Sequence, residues 1–124
     1  AARAVGKVLP ELNGKLDGIA SRVPVPNGSA VDLFVKLQSE VTNDMVNNAI
    51  LDASKSESFN RILEYSDSPV VSKDIIGNSS SSIYDVRETR VLSGNYLRTL
   101  NWYDNEWGYS NRVVDLINQL KKFI

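Results

Sequence analysis

Asn105 and Arg22 are the two polar side chains of this 124-residue chain whose types and surroundings best suit ligand chemistry. Asn105 lies in Asn101-Trp102-Tyr103-Asp104-Asn105-Glu106-Trp107-Gly108-Tyr109-Ser110-Asn111-Arg112-Val113-Val114-Asp115, a stretch holding both tryptophans and two of the five tyrosines. A period-two pattern enters this stretch and a helical pattern leaves it. That marks a crowded strand-to-helix corner, where α/β proteins tend to hold ligands. A carboxamide offers donors and an acceptor together, so it complements another carboxamide. The plainer duty for Asp104 or Asn105 is to cap the helix that follows. Arg22 sits in Ile19-Ala20-Ser21-Arg22-Val23-Pro24 and alternates opposite Ile19, Ser21 and Val23, so its guanidinium leaves the apolar face. Its planar fork can donate two parallel hydrogen bonds to a phosphate. The plainer reading is a surface arginine on a strand.

Cysteine and histidine are both absent. Disulfides, thiolate metal sites, a cysteine nucleophile and imidazole acid–base chemistry are therefore excluded from this chain. Asp32, Asp52, Glu64 and Glu88 read as solvated or turn carboxylates, and none has a partner at metal-ligand spacing. A net charge of −1 gives no support for a nucleic-acid or membrane-surface role. No apolar run is long enough to span a bilayer. Hydrophobic content of 42% with 23% charged residues is ordinary for one globular domain or part of one, and argues against wholesale disorder.

The elements that must position these side chains follow from punctuation and period. The opening residues read as a helix ending at Pro10, with Asn13-Gly14 turning the chain. Nothing caps that helix and no methionine starts it, so the chain reads as a fragment cut inside an element. Gly18 to Val23 reads as a short strand closed by Pro24-Val25-Pro26-Asn27-Gly28. Val31, Leu33, Val35 and Leu37 alternate with Asp32, Phe34, Lys36 and Gln38, the cleanest strand pattern present. Thr42-Asn43-Asp44 start a helix with Val46, Ala49, Ile50 and Ala53 on one stripe. A short strand around Arg61 to Tyr65 comes next, then a long serine-rich loop from Ser66 to Ser82. Strands at Ser82 to Val86, Val91 to Ser93 and Tyr96 to Tyr103 follow, the last two joined at Gly94-Asn95. Beyond the corner, Val113, Leu116, Ile117, Leu120 and Ile124 share a helical face. The sum is an α+β fold, a mostly antiparallel sheet with helices packed on one face.

The corner string resembles the WYDNEWGYSNR signature near the C-terminus of phosphorylating glyceraldehyde-3-phosphate dehydrogenases. Three further stretches extend the resemblance. Arg22-Val23-Pro24-Val25-Pro26 with Val31-Asp32-Leu33 is similar to the family's R-V-P-x-P segment and the strand after it. Ala1 to Leu16 is similar to T-G-A-A-K-A-V-G-K-V-x-P-E-L-N-G-K-L, with Arg3 in place of lysine and the Thr-Gly pair missing. Gly77 to Asp85 is similar to G-x-S-H-S-S-I-F-D, with Ser80 for histidine, and reads as structural.

The resemblance implies that residues 1–124 are the C-terminal portion of the catalytic domain, with the N-terminal dinucleotide-binding domain absent from this chain. It implies a glycolytic, cytoplasmic oxidoreductase that converts glyceraldehyde 3-phosphate, NAD and inorganic phosphate to 1,3-bisphosphoglycerate and NADH. It assigns Asn105 to the nicotinamide carboxamide, Tyr109 to the neighbourhood of that ring or to core packing, and Arg22 to a phosphate of substrate or inorganic phosphate. The nucleophilic cysteine and the basic histidine of the family fall outside these residues, so the isolated chain is expected to be inactive. A homotetramer is implied, with sheet faces of neighbouring domains meeting and Phe34 and the serine loop compatible with such an interface. Two alternatives stay open: a stand-alone non-catalytic binding or scaffolding module of the same fold, and the related erythrose-4-phosphate dehydrogenase.

Overall fold

The computed structural model describes residues 2–123, and side chains from Ala4 onward, so Ala1, Ile124 and the Arg3 side chain lie outside the described residues. The elements in chain order are α1 (Ala2–Val8), β1 (Ser29–Lys36), α2 (Asn43–Lys55), β2 (Leu63–Ser66), α3 (Ser72–Ile75), β3 (Ser82–Leu92), β4 (Tyr96–Tyr103) and α4 (Trp107–Leu120). A 3-10 turn at Pro10–Leu12 follows α1, with Pro10 supplying the fixed φ that suits a helical first position. The strands form one sheet in the order β1-β4-β3-β2. β1–β4 and β4–β3 are antiparallel and β3–β2 is parallel, so the α+β expectation holds.

β4 is central because its neighbours on both sides satisfy its backbone. It pairs with β1 from Ser29↔Tyr103 to Val35↔Leu97 and on to Lys36↔Tyr96. It pairs with β3 from Ile83↔Trp102 to Leu92↔Tyr96. The β3–β4 turn places Ser93 and Gly94 at φ 49° and 75°, the left-handed region that tight hairpins use. The two expected strands at Ser82 to Val86 and Val91 to Ser93 are one strand, with its register shifted between Asp85 and Arg90. The irregularity has local anchors: Asp85 accepts bonds from the Arg87 amide and the Trp102 indole. Thr42 caps α2 by accepting from Met45 N at 3.2 Å.

The small core sits where α2 meets β2 and β3. Ile83 and Tyr84 are buried, and the Tyr84 hydroxyl lies among Asn47 of α2 and Thr89 of β3. The serine-rich stretch is more ordered than its composition implies. It contains α3, buries Ile75, and is pinned by Glu64, which accepts from Asn78 and Ser80. Glu64 is therefore no solvated carboxylate, and neither Asp32 nor Glu88 is free, since both hold Arg98.

Further sequence expectations are overturned. Gly18 to Val23 is not a strand, because the segment finds no neighbour to complete its hydrogen bonds and leads into two prolines. Nor does it have an apolar face: Ile19 is 97% exposed. β1 forms where expected, yet Val31 and Leu33 are as open to water as the nominally polar face, and Phe34 is 70% exposed with Arg98 over its ring. The expected α4 stripe, Val113, Leu116, Ile117 and Leu120, is likewise left exposed by the described residues.

Gly28, just before β1, is the tightest backbone contact near the candidate site. Its φ is +84°, and an added Cβ would stand 2.4 Å from the Ser72 carbonyl oxygen. Gly14 has a similar φ of +75° but open space around it. Gly14→Ala should cost about 1 kcal/mol through φ alone, and Gly28→Ala about 2 kcal/mol or more because strain and clash add. Urea midpoints of the two variants check this, and equal losses would sink the packing argument.

Candidate functional site

Antiparallel pairing decides which loops meet. Because Ser29 opposes Tyr103, the chain entering β1 and the chain leaving β4 emerge at one end of the sheet. β3 begins at that end too, opposite Trp102, and β2 runs parallel to β3. Residues 27–28, 77–81 and 104–108 therefore converge there. Asn105 is among them, and Arg22 lies in exposed coil before Asn27.

At their meeting point is Asp104, only 3% exposed. Its oxygens have separate duties. Oδ1 accepts from Glu106 N at 2.9 Å and Trp107 N at 2.8 Å, while the Asp104 carbonyl accepts from Gly108 N at 3.2 Å. Asp104 is thus the functional N-cap of α4, filling donors a helix start leaves open. Oδ2 accepts from Gly77 N at 2.9 Å and Asn27 Nδ2 at 3.1 Å. Gly77 belongs to the serine-rich segment and Asn27 to the approach to β1. Three stretches distant in sequence thus share one carboxylate.

Asn27 can face only one way. Its Nδ2 must donate to the carboxylate, and its Oδ1 accepts from Gly28 N at 2.8 Å. α4 is held further by Gly108, where a Cβ would come within 3.0 Å of Ser80 O, and by Arg112, which donates to Arg61 O and Ser81 Oγ.

Asn105 follows Asp104 directly and projects to solvent at the head of α4. Its Oδ1 lies 3.5 Å from Ser29 Oγ, a long contact, and its Nδ2 has no intramolecular partner among the described residues. A carboxamide in that state keeps a donor open to solvent. Arg22 is exposed in coil and makes no ion pair or side-chain hydrogen bond among the described residues. No hydrogen bond joins it to Asn105. Tyr109 is 72% exposed, so it does not serve this chain's own core. A groove of about 630 Å³ between residues 57–62 and the outer half of α4 includes neither Arg22 nor Asn105.

Residue type alone leaves the helix cap open between Asp104 and Asn105. It is Asp104, and its second function, collecting Gly77 and Asn27, has no signal in the sequence. An Asn-Gly pair before a strand reads as a turn, which is what hides Asn27.

Asp104 is held below the ordinary aspartate value near 3.8 by the Gly77 and Trp107 amides first, with Glu106 N and Asn27 adding and burial opposing. The folded chain therefore binds this proton more weakly than the unfolded chain. The stabilisation is fully present above pH 3.8 and is lost as pH falls from there through the lower folded value. Asp104→Asn should lower stability at neutral pH by about 1–3 kcal/mol and flatten the acid loss. Urea titrations at several acid pH values test this, and an unchanged acid slope in the variant would contradict it.

The model of the glyceraldehyde 3-phosphate dehydrogenase C-terminal domain family matches residues 1–105, and the chain belongs to that family. Among its relatives, the glyceraldehyde-3-phosphate dehydrogenase of Borreliella burgdorferi is 54% identical over 98% of this chain and 37% of its own length. That of Atriplex nummularia is 49% identical over 98% of this chain and 34% of its own length. The cytosolic enzyme of Pinus sylvestris is 54% identical over 94% of this chain and 34% of its own length. The chain thus spans about a third of the length of these relatives.

Proposed function

We propose that this chain is the C-terminal portion of the catalytic domain of a cytoplasmic, NAD-dependent, phosphorylating glyceraldehyde-3-phosphate dehydrogenase. The reaction joins glyceraldehyde 3-phosphate and inorganic phosphate into 1,3-bisphosphoglycerate, with NAD taking the hydride. In this reading the rest of the polypeptide supplies the nucleophile and the base, and its dinucleotide-binding domain supplies most of the cofactor site. This chain supplies Arg22 for phosphate and Asn105 for the nicotinamide carboxamide.

One observation supports the reading: the β1–β4 pairing brings the chain entering β1, which continues from the segment bearing Arg22, and the chain leaving β4, which leads to Asn105, to the same end of the sheet. The family membership supports the dehydrogenase class. Assembly as a homotetramer is part of the proposal, since Val31, Leu33 and Phe34 on β1 offer apolar area that a subunit interface would cover. If the natural polypeptide is no longer than these residues, the absence of cysteine and histidine favours a second reading, a non-catalytic binding module of the same fold.

Intact mass under denaturing conditions comes first, because 13.8 kDa is the mass of these residues alone and NADH formation needs the larger polypeptide. In that polypeptide, Asn105→Ala should weaken productive NAD use about tenfold, the scale of one good polar contact. Arg22→Ala should raise the KM for phosphate about tenfold or more, since a charged donor is lost. Wild-type kinetics in both variants would remove the site assignments. A full-length protein forming NADH from erythrose 4-phosphate but not glyceraldehyde 3-phosphate would move the reading to the related enzyme. No NADH from either would leave the binding module.

A further inference from the structure

Arg22 is far from any anchor of its own. Residues 16–23 are irregular and almost entirely exposed, and the sheet does not include them. An arginine on such a segment cannot meet a ligand reproducibly unless something downstream fixes the direction of the chain. Two features of the sequence make that possible. The residues between Arg22 and Asn27 are Val23-Pro24-Val25-Pro26. Each proline locks its own φ, and each restricts the valine before it to extended backbone, so all four links are stiff. Val25 N also donates to Val23 O at 2.8 Å, closing a tight turn across Pro24. The segment behaves as a short lever whose orientation is set at its C-terminal end.

That end is clamped from two sides. Gly28 sits against the Ser72 carbonyl with no room for a Cβ, and Asn27 donates to Asp104 Oδ2 across 77 residues of sequence. Asp104 in turn holds the helix start that presents Asn105. We propose that the Asn27–Asp104 hydrogen bond is a positioning latch, which fixes the Arg22 lever relative to the corner carrying Asn105. Asn27 and Asp104 touch no ligand in this scheme, and they act through Arg22. The proposal deepens the reading above and rests on its assignment of Arg22 to phosphate.

The two oxygens of Asp104 allow a selective test. Asp104→Asn can keep its remaining oxygen on the α4 amides, but it turns the other atom into a donor facing two donors, Gly77 N and Asn27 Nδ2. Asn27→Ala removes the latch and leaves the helix cap intact. Asn27→Asp combined with Asp104→Asn restores the contact with donor and acceptor exchanged, while the carboxylate introduced before Gly28 still accepts from the Gly28 amide.

The measurements are made on the full-length polypeptide. They are the KM for inorganic phosphate, the KM for NAD, and the rate of tryptic cleavage after Arg22. Each single variant should raise the phosphate KM and the cleavage rate about tenfold, the loss expected for one charge-assisted hydrogen bond. With Asn27→Ala the KM for NAD should stay within about twofold, because the helix cap is intact. The exchanged pair should bring phosphate KM and cleavage back to within about threefold of wild type, since only the Gly77 contact is then missing.

Wild-type cleavage and wild-type phosphate KM in both single variants would overturn the latch. So would an exchanged pair no better than Asp104→Asn, since that outcome belongs to a general loss of structure. If Arg22→Ala itself leaves the phosphate KM unchanged, the phosphate reading is what fails, and the cleavage rates alone then judge the latch.

Discussion

Withdrawing a carboxylate from water costs several kcal/mol unless its lone pairs are filled, and attraction to a cation is the usual remedy. Asp104 meets no cation among the described residues. Four N–H donors surround it, three from the backbone and one from a carboxamide. Backbone amides are fixed in direction by the chain that carries them, so satisfying this one group constrains three segments at once. Oδ1 sets the axis on which α4 begins. Oδ2 sets where the serine-rich segment and the approach to β1 must lie. If any of the three moves away, a buried acceptor is left short, and that asymmetry is what gives one carboxylate leverage over the whole end of the sheet.

The sheet makes the arrangement possible without dictating it. Pairing Ser29 with Tyr103 brings the two chain ends within reach, but hairpins and ladders leave the loops beyond them free to splay. The closing contacts are local and steric: Gly28 against Ser72, Gly108 against Ser80, Arg112 across to Arg61 and Ser81. Away from this end the body is lightly packed. Among the described residues the buried apolar ones are Ile75, Ile83 and Tyr84, whereas β1 and α4 carry apolar side chains that these residues leave in water. The ordered polar end and the open apolar flanks suit a piece that offers surfaces to other parts of a larger assembly.

Much of this was legible in the sequence, for physical reasons that differ by element. β4 and α2 announced themselves because period and capping residues agree with the tertiary outcome, and α4 did so by period although its apolar stripe stays exposed. Thr42 is both the sequence signal and the observed cap. β1 was legible as a strand, but its burial was not: alternation reports which side chains share a face, and whether that face is covered depends on what lies across it. Gly18 to Val23 failed because β-propensity has no meaning without a partner strand. Residue type alone favoured a helix cap and a surface arginine, so Asn105 and Arg22 were singled out by the family resemblance, and the corner itself by its aromatic density. The Asn27–Asp104 contact could not be, because a pair 77 positions apart becomes visible only once β1 and β4 are in register.

The same carboxylate also bears on the division of labour between the two candidate contacts. A helix start is ordinarily an anion site, since its free amides and the macrodipole both attract negative charge. At α4 the amides of Glu106 and Trp107 are already taken by Asp104, which brings its own negative charge. This helix start is therefore poorly placed to receive a phosphate. What it can present is a neutral group, and Asn105 is that group. Negative charge on a ligand must be met by a cation that Asp104 does not neutralise, and Arg22, exposed and without an ion pair among the described residues, meets that condition. The proposed contacts, a carboxamide on the helix and a guanidinium on the arm, are consistent with how the helix is capped.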